Sequence, residues 1–200
     1  LEGQVGELVR FYLFSYNENM KRIAFLIAAL SSLCLIGSAV GQKKLKESDL
    51  SPKYQEWLNL VAYIILPQEK DVFLRLASDF DRDIFIESFW KQRDPTPGTP
   101  ENEYKDEVLK RFAYVNKEFS RDTPRPGWMT DRGRIYMILG APQYRESITL
   151  PELQPCELWT YYGDVSKGMP NYFGLVFFRR GGSGEYKLYS PALDGPKGLI

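Results

Sequence analysis

Apolar side chains recur at helical spacing from Ser51 to Phe119 and at strand-like spacing after Thr123, so the chain divides into two halves of different periodicity. Ser51-Pro52 supplies a cap and a first-turn proline, and Tyr54, Trp57, Leu58, Val61 and Ile65 follow on one face, predicting a helix that ends near Leu66-Pro67. Pro67 opens a second helix with an apolar stripe of Phe73, Leu76, Ala77 and Phe80, and a third runs through Ile84, Phe85, Ser88 and Phe89. Arg93-Asp94-Pro95-Thr96-Pro97-Gly98 breaks the pattern. Thr99-Pro100, with Glu101 and Glu103 behind it, predicts the start of a fourth helix lined by Tyr104, Val108, Phe112, Val115 and Phe119.

Beyond Thr123-Pro124-Arg125-Pro126-Gly127 the runs become β-branched and aromatic, separated by turn residues. Strands are predicted over residues 134–139, 157–162, 173–179 and 186–189. Gly181-Gly182-Ser183-Gly184 suits a tight hairpin connection between the last two. Helices first and strands second imply an α+β fold, with about four N-terminal helices packed on a C-terminal, mainly antiparallel sheet of about four strands.

The 200 residues suit one domain, and the 26 basic and 26 acidic side chains cancel, giving no bulk electrostatic reason to expect nucleic acid as a partner. From Met20 the chain has the layout of a secretory signal: Lys21 and Arg22, an apolar run from Ile23 to Ile36, then small residues. Ala39 and Gly41 fit a cleavage site that makes Gln42 the first mature residue. The run is shorter than the roughly 20 residues of a spanning helix, so membrane contact is expected only through an uncleaved signal segment, if at all. Residues 1–19 read as an upstream extension, 20–41 as signal peptide, 42–50 as linker, 51–190 as the domain and 191–200 as a linker or truncated tail. The expected location is periplasmic or secreted. Cys34 falls in the signal, which leaves Cys156 alone in the mature chain and no intrachain disulfide.

Gly127-Trp128-Met129-Thr130-Asp131-Arg132-Gly133, continuing to Pro142, resembles the signature of the GWxTD domain family of exported bacterial proteins. Phe89-Trp90, the stretch from Arg93 to Thr99, Asn102-Glu103 and Glu157-Leu158-Trp159-Thr160-Tyr161 are similar to further parts of that pattern. The resemblance covers residues 51–190. It implies an exported protein and carries no catalytic residues with it.

Residue chemistry narrows the functions. The chain has no histidine, so a Ser-His-Asp triad, a Cys-His pair and histidine-rich zinc sites are excluded. Cys156, without a base, reads as a small buried hydrophobe. Asp79, Asp81 and Asp83 alternate as in a calcium loop but lack its glycine and closing glutamate, so they are expected to cap a helix. The glycine run at 181–184 lacks the Gly-Lys-Ser/Thr of a phosphate cradle. No cofactor or metal is implied.

Candidate binding residues are Arg93, Asp94, Trp128, Asp131, Arg132 and Arg134. Trp128 is expected to bury its ring, and Thr130 and Asp131 to accept backbone N–H groups in a turn. Arg132 and Arg134, at alternate positions of a strand entrance, are expected on one side, pairing with Asp94 or Asp131 or binding an anionic group. Trp159, Tyr161 and Tyr162 against Tyr172, Phe173, Phe177 and Phe178 offer a stacking platform for sugars or a peptide, of which at most half is free once one face covers the core. The expected function is a non-catalytic envelope interaction or binding module, with residues 128–134 as its recognition edge and another envelope protein or a surface glycan as partner. The alternative is a carboxylate-dependent hydrolase or lyase using Asp94 or Asp131 with Arg132.

Overall fold

A computed structural model describes residues 44–195 and 197–200. The expected signal, 20–41, and the upstream extension, 1–19, lie outside the described residues. Among the described residues five α-helices come first: α1 (Pro52–Leu60), α2 (Pro67–Arg75), α3 (Asp79–Lys91), α4 (Glu103–Glu118) and α5 (Asp131–Leu139). Strands β1 (Tyr144–Ile148), β2 (Cys156–Tyr162), β3 (Tyr172–Phe178) and β4 (Lys187–Leu188) follow, then the single turn α6 (Pro191–Asp194). The strands form one antiparallel sheet in the order β1-β2-β3-β4, so the fold is α+β. Among the described residues no helix is long and apolar enough to cross a membrane.

The described residues fall into two compact units. The helical unit holds residues 44–129 and Gly133–Gly140, and the sheet unit holds Thr130–Arg132 and Ala141–Ile200.

In the helical unit, aromatic rings make the core. Trp57 of α1 lies 4.7 Å from Phe73 of α2 and 5.2 Å from Phe89 of α3, and all three are buried. Such ring pairs add to plain area burial. α3 starts with a reciprocal capping box: Ser78 Oγ accepts the Asp81 N–H and the Asp81 carboxylate accepts the Ser78 N–H, each at 3.2 Å. Asp81 thus caps the helix as expected and Asp79 pairs with Arg82 one turn on, whereas Asp83 departs from the expectation and ties α3 to Lys53 and Tyr54 of α1. The first helix ends at Leu60, earlier than its apolar spacing predicts, and turns carry the chain on to Pro67. α4 also departs from expectation, because it begins at Glu103 rather than at Thr99-Pro100. Asn102 caps it, accepting the Lys105 N–H at 2.9 Å while its amide donates to the Trp90 carbonyl at 2.8 Å. Those two hydrogen bonds fix the start, and Thr99 turns its hydroxyl back to the carbonyls of Thr96 and Glu101 instead.

The strand expected over residues 134–139 is the helix α5. Gly133, Ile135, Met137 and Gly140 are buried and Tyr136, Ile138 and Leu139 half-buried, so the segment is apolar on nearly every side. Burial all round removes the helical period from the sequence, and a short apolar run then reads equally as a strand. In its place the sheet gains β1, whose residues Tyr144 to Ser147 are exposed. β2 and β3 start one residue earlier than expected, and β4 is shorter. The glycine run connects β3 to β4 with positive φ at Gly181, Gly182 and Gly184, a geometry that favours glycine.

Residues 44–50, read as linker, carry a 3-10 turn at Glu47–Asp49 and bury Leu50. Lys44 reaches Asp71 at 2.7 Å, and Arg75 holds the other carboxylate oxygen at 2.8 Å. Arg75 first, and Lys44 second, lower the Asp71 carboxyl to about 2. A lowered carboxyl contributes stability above its unfolded value, about 3.9, and the contribution is lost as pH falls through the folded value. Asp71→Asn is therefore expected to be less stable than wild type at pH 6 and to converge on it as pH approaches 2. Urea melts across that range check this, and a gap that stays constant with pH contradicts it.

Candidate functional site

The segment from Gly127 to Arg132 divides its work between the two units. In the helical unit Gly127 lies against the backbone of α4, where an added Cβ would stand 1.9 Å from the Val115 carbonyl oxygen. No side chain fits there, because the obstacle is main chain. Trp128 is anchored at both backbone groups: its N–H donates to Asn116 Oδ1 at 3.2 Å and its carbonyl accepts the Tyr63 hydroxyl at 3.0 Å. The half-buried indole packs on Tyr63 and Phe112, with ring centroids 6.0 and 6.3 Å away. Gly127→Ala is expected to destabilise the protein by roughly 3 kcal/mol, the upper end for an overpacked site. A change in melting temperature within error would contradict this contact.

In the sheet unit Asp131, at the first turn of α5, accepts the Leu188 N–H of β4 at 2.8 Å. The expectation has this carboxylate accepting backbone N–H groups in a turn; the Leu188 N–H that it accepts belongs to an edge strand far along the chain. Arg132 donates to Glu157 Oε2 at 3.3 Å, Trp159 Nε1 donates to the same oxygen at 2.9 Å, and Arg145 holds Oε1 at 2.7 Å. The Arg132 guanidinium also lies 4.3 Å from the centre of the Tyr186 ring, and Arg179 lies 4.5 Å from it.

Glu157 retains only 4% of its exposure and Arg132 5%. A carboxylate this deep is tolerable only when cations and donors replace its water. Strand alternation explains the geometry. Glu157 and Trp159 share one face of β2, and Arg145 is registered opposite Trp159 on β1.

Glu157 is the keystone that sequence reasoning missed. Its signal was a single charge in an otherwise aromatic strand. Glu157→Gln leaves the buried Arg132 short of a counter-charge and is expected to cost about 3 kcal/mol. Arg145 is 38% exposed at its side chain, so Arg145→Ala is expected to cost less than about 1 kcal/mol. Chemical denaturation ranks the two; equal effects would contradict the assigned roles.

Arg132 and Arg134 do not share a side. They lie two residues apart on a helix rather than a strand, roughly 200° around the axis, and Arg134 is exposed where Arg132 is buried. Arg93 is buried in the helical unit, donating to both Glu69 carboxylate oxygens at 2.8 Å and to the Phe89 carbonyl at 3.1 Å. Asp94 accepts the Thr96 N–H at 3.0 Å and so shapes the Pro-rich turn. Cys156 is buried, its thiol donating to the Gln154 carbonyl at 3.0 Å, and burial pushes its pKa up.

The aromatic residues of the sheet separate by face. Trp159, Tyr161 and Phe177 are buried on the face that carries Glu157, and Phe178 is buried on the other. At the opposite end of that second face Tyr144, Tyr162 and Tyr172 stand together, 56%, 55% and 59% exposed. Tyr162 is registered against Tyr172, with ring centroids 5.8 Å apart, and Tyr144 lies 6.4 Å from Tyr162. The Tyr144 phenol beside it pushes the Tyr162 pKa up. Next to them Gly174 leaves exposed backbone with no side chain. Tyr162 and Tyr172 belong to the expected platform; Tyr144 was missed because its strand was not foreseen. Among the described residues no group of His, Cys, Asp or Glu is placed to hold a metal ion.

A model of the GWxTD domain matches residues 38–187. No curated protein and no solved structure matches the chain.

Proposed function

The chain belongs to the GWxTD domain family, and on that premise we propose that it is an exported, non-catalytic binding module of the bacterial envelope. Its partner, an envelope protein or a surface glycan, docks on the tyrosine face of the sheet. One observation carries this reading: three large rings stand together more than half exposed. Exposed aromatic groups of this kind mark recognition surfaces more often than isolated ones do. The polar candidates are engaged elsewhere. Asp131 and Asp94 accept backbone N–H groups and Arg132 meets a buried carboxylate, which disfavours a hydrolase or lyase built on them.

Export rests on the signal-like layout of residues 20–41 and gives a periplasmic or secreted protein that starts at Gln42. Two measurements test the proposal. Mass spectrometry of the envelope-fraction protein should find Gln42 at the N-terminus; recovery in the cytosol with Met20 retained contradicts export. Immobilised mature protein should retain material from bacterial envelope extracts, and Tyr162→Ala with Tyr172→Ala, at unchanged melting temperature, should release it. Equal retention by wild type and the double variant overturns the docking face.

A further inference from the structure

We infer that the corner formed by Tyr144, Tyr162 and Tyr172 is a subsite for an uncharged glycan, taking a terminal pyranose ring of the chain. This rests on the binding-module reading and adds the ligand's chemical class.

The shape argues first. Neighbouring rings in the group meet at 89° and 47°, so they do not lie in one plane. A flat partner surface would touch only the ring edges. A single six-membered ring instead finds one phenol to stack on and others to close its sides. Gly174 is the low side of this corner: it is exposed, and the row Tyr144, Thr160, Gly174 descends from a large ring to bare backbone.

The surface chemistry agrees. A pyranose presents an apolar C–H face rimmed by hydroxyls, and tyrosine presents an apolar ring with a hydroxyl at its edge, so stacking and hydrogen bonding are met by one residue type.

Charge selects among glycans. On this face of β1, β2 and β3, the face of Tyr144, Tyr162 and Tyr172, the charged member is Glu146. Arg145 belongs to the opposite face, where it pairs with Glu157. The cation on the tyrosine face, Lys187 of β4, is registered opposite Phe178 at the far end from the tyrosines and pairs with Glu185 at 3.0 Å. The rows around the corner therefore present a carboxylate, which disfavours acidic sugars and favours a neutral chain as ligand.

Isothermal titration of the full mature protein tests this with four probes: cellohexaose, chitohexaose, an acidic hexagalacturonate and an uncharged proline-rich peptide. Saturable binding of a neutral hexasaccharide is expected, with weaker or undetectable binding of the acidic one. Tyr162→Ala should weaken it by about tenfold, as the loss of an aromatic contact implies. Tyr162→Phe should keep affinity within about threefold, because the stacking face remains. Gly174→Thr should block the corner. The new Cβ meets the end of the flexible Leu158 side chain at 3.0 Å and the Trp159 carbonyl oxygen at 4.0 Å, so Leu158 must shift slightly, and the variant is used at unchanged melting temperature.

No saturable binding to either neutral hexasaccharide overturns the inference, as does binding that Tyr162→Ala leaves unchanged in a stably folded protein. The envelope pull-down separates this failure from failure of the docking face. Periodate treatment of the extract should abolish tyrosine-dependent retention and protease treatment should not. The reverse result refutes the glycan and keeps the docking face, now with a protein partner.

Discussion

The sheet unit depends on one buried carboxylate. Glu157 sits on the central part of the sheet with its water replaced by the Arg132 and Arg145 guanidinium groups and the Trp159 indole N–H. Stripping a carboxylate of solvent costs several kcal/mol, and geometry this complete is what offsets it. Each partner comes from a different place: Arg132 from the first turn of α5, Arg145 from the edge strand and Trp159 from the same strand as Glu157. Satisfying one charge therefore fixes three segments. Asp131, next to Arg132, fixes a fourth by holding the main chain of β4.

The motif then makes physical sense as a set of attachments. Gly127 permits backbone contact with α4, and Trp128 is fastened to Tyr63 and Asn116. Asp131 and Arg132 act in the sheet unit. A segment committed this fully to internal contacts has little left for a ligand. Recognition in the proposed account moves to the outer tyrosines, which the same sheet holds in register.

Much of the helical half was legible because its signals are local. Asp81 and Pro67 act within one turn of where they stand, and aromatic spacing gave the buried face of α1 together with Phe73 and Phe89. Phe80 and Ile84, placed on the same stripes, are instead 72% and 44% exposed, because α2 stops at Arg75 and a new helix starts at Asp79. The sheet was harder to read. α5 is covered on nearly all sides, so its period vanished, and β1 is a polar edge strand without an apolar alternation. The role of Glu157 was invisible for another reason: its two cationic partners lie 25 and 12 residues away in sequence. Conversely, the alternation of Trp159 and Tyr161 with Tyr162 already implied that only part of the aromatic set faces solvent.

The central claim is that the polar motif builds the framework while the tyrosine face meets the partner. Backbone amide chemical-shift mapping of the mature protein, titrated with the material it retains from envelope extracts, tests this most directly. The account predicts perturbations concentrated at Tyr144, Tyr162, Tyr172 and Gly174, with Asp94, Asp131 and Arg132 unmoved. Perturbations centred on Asp94, Asp131 and Arg132, with the tyrosines silent, would contradict it.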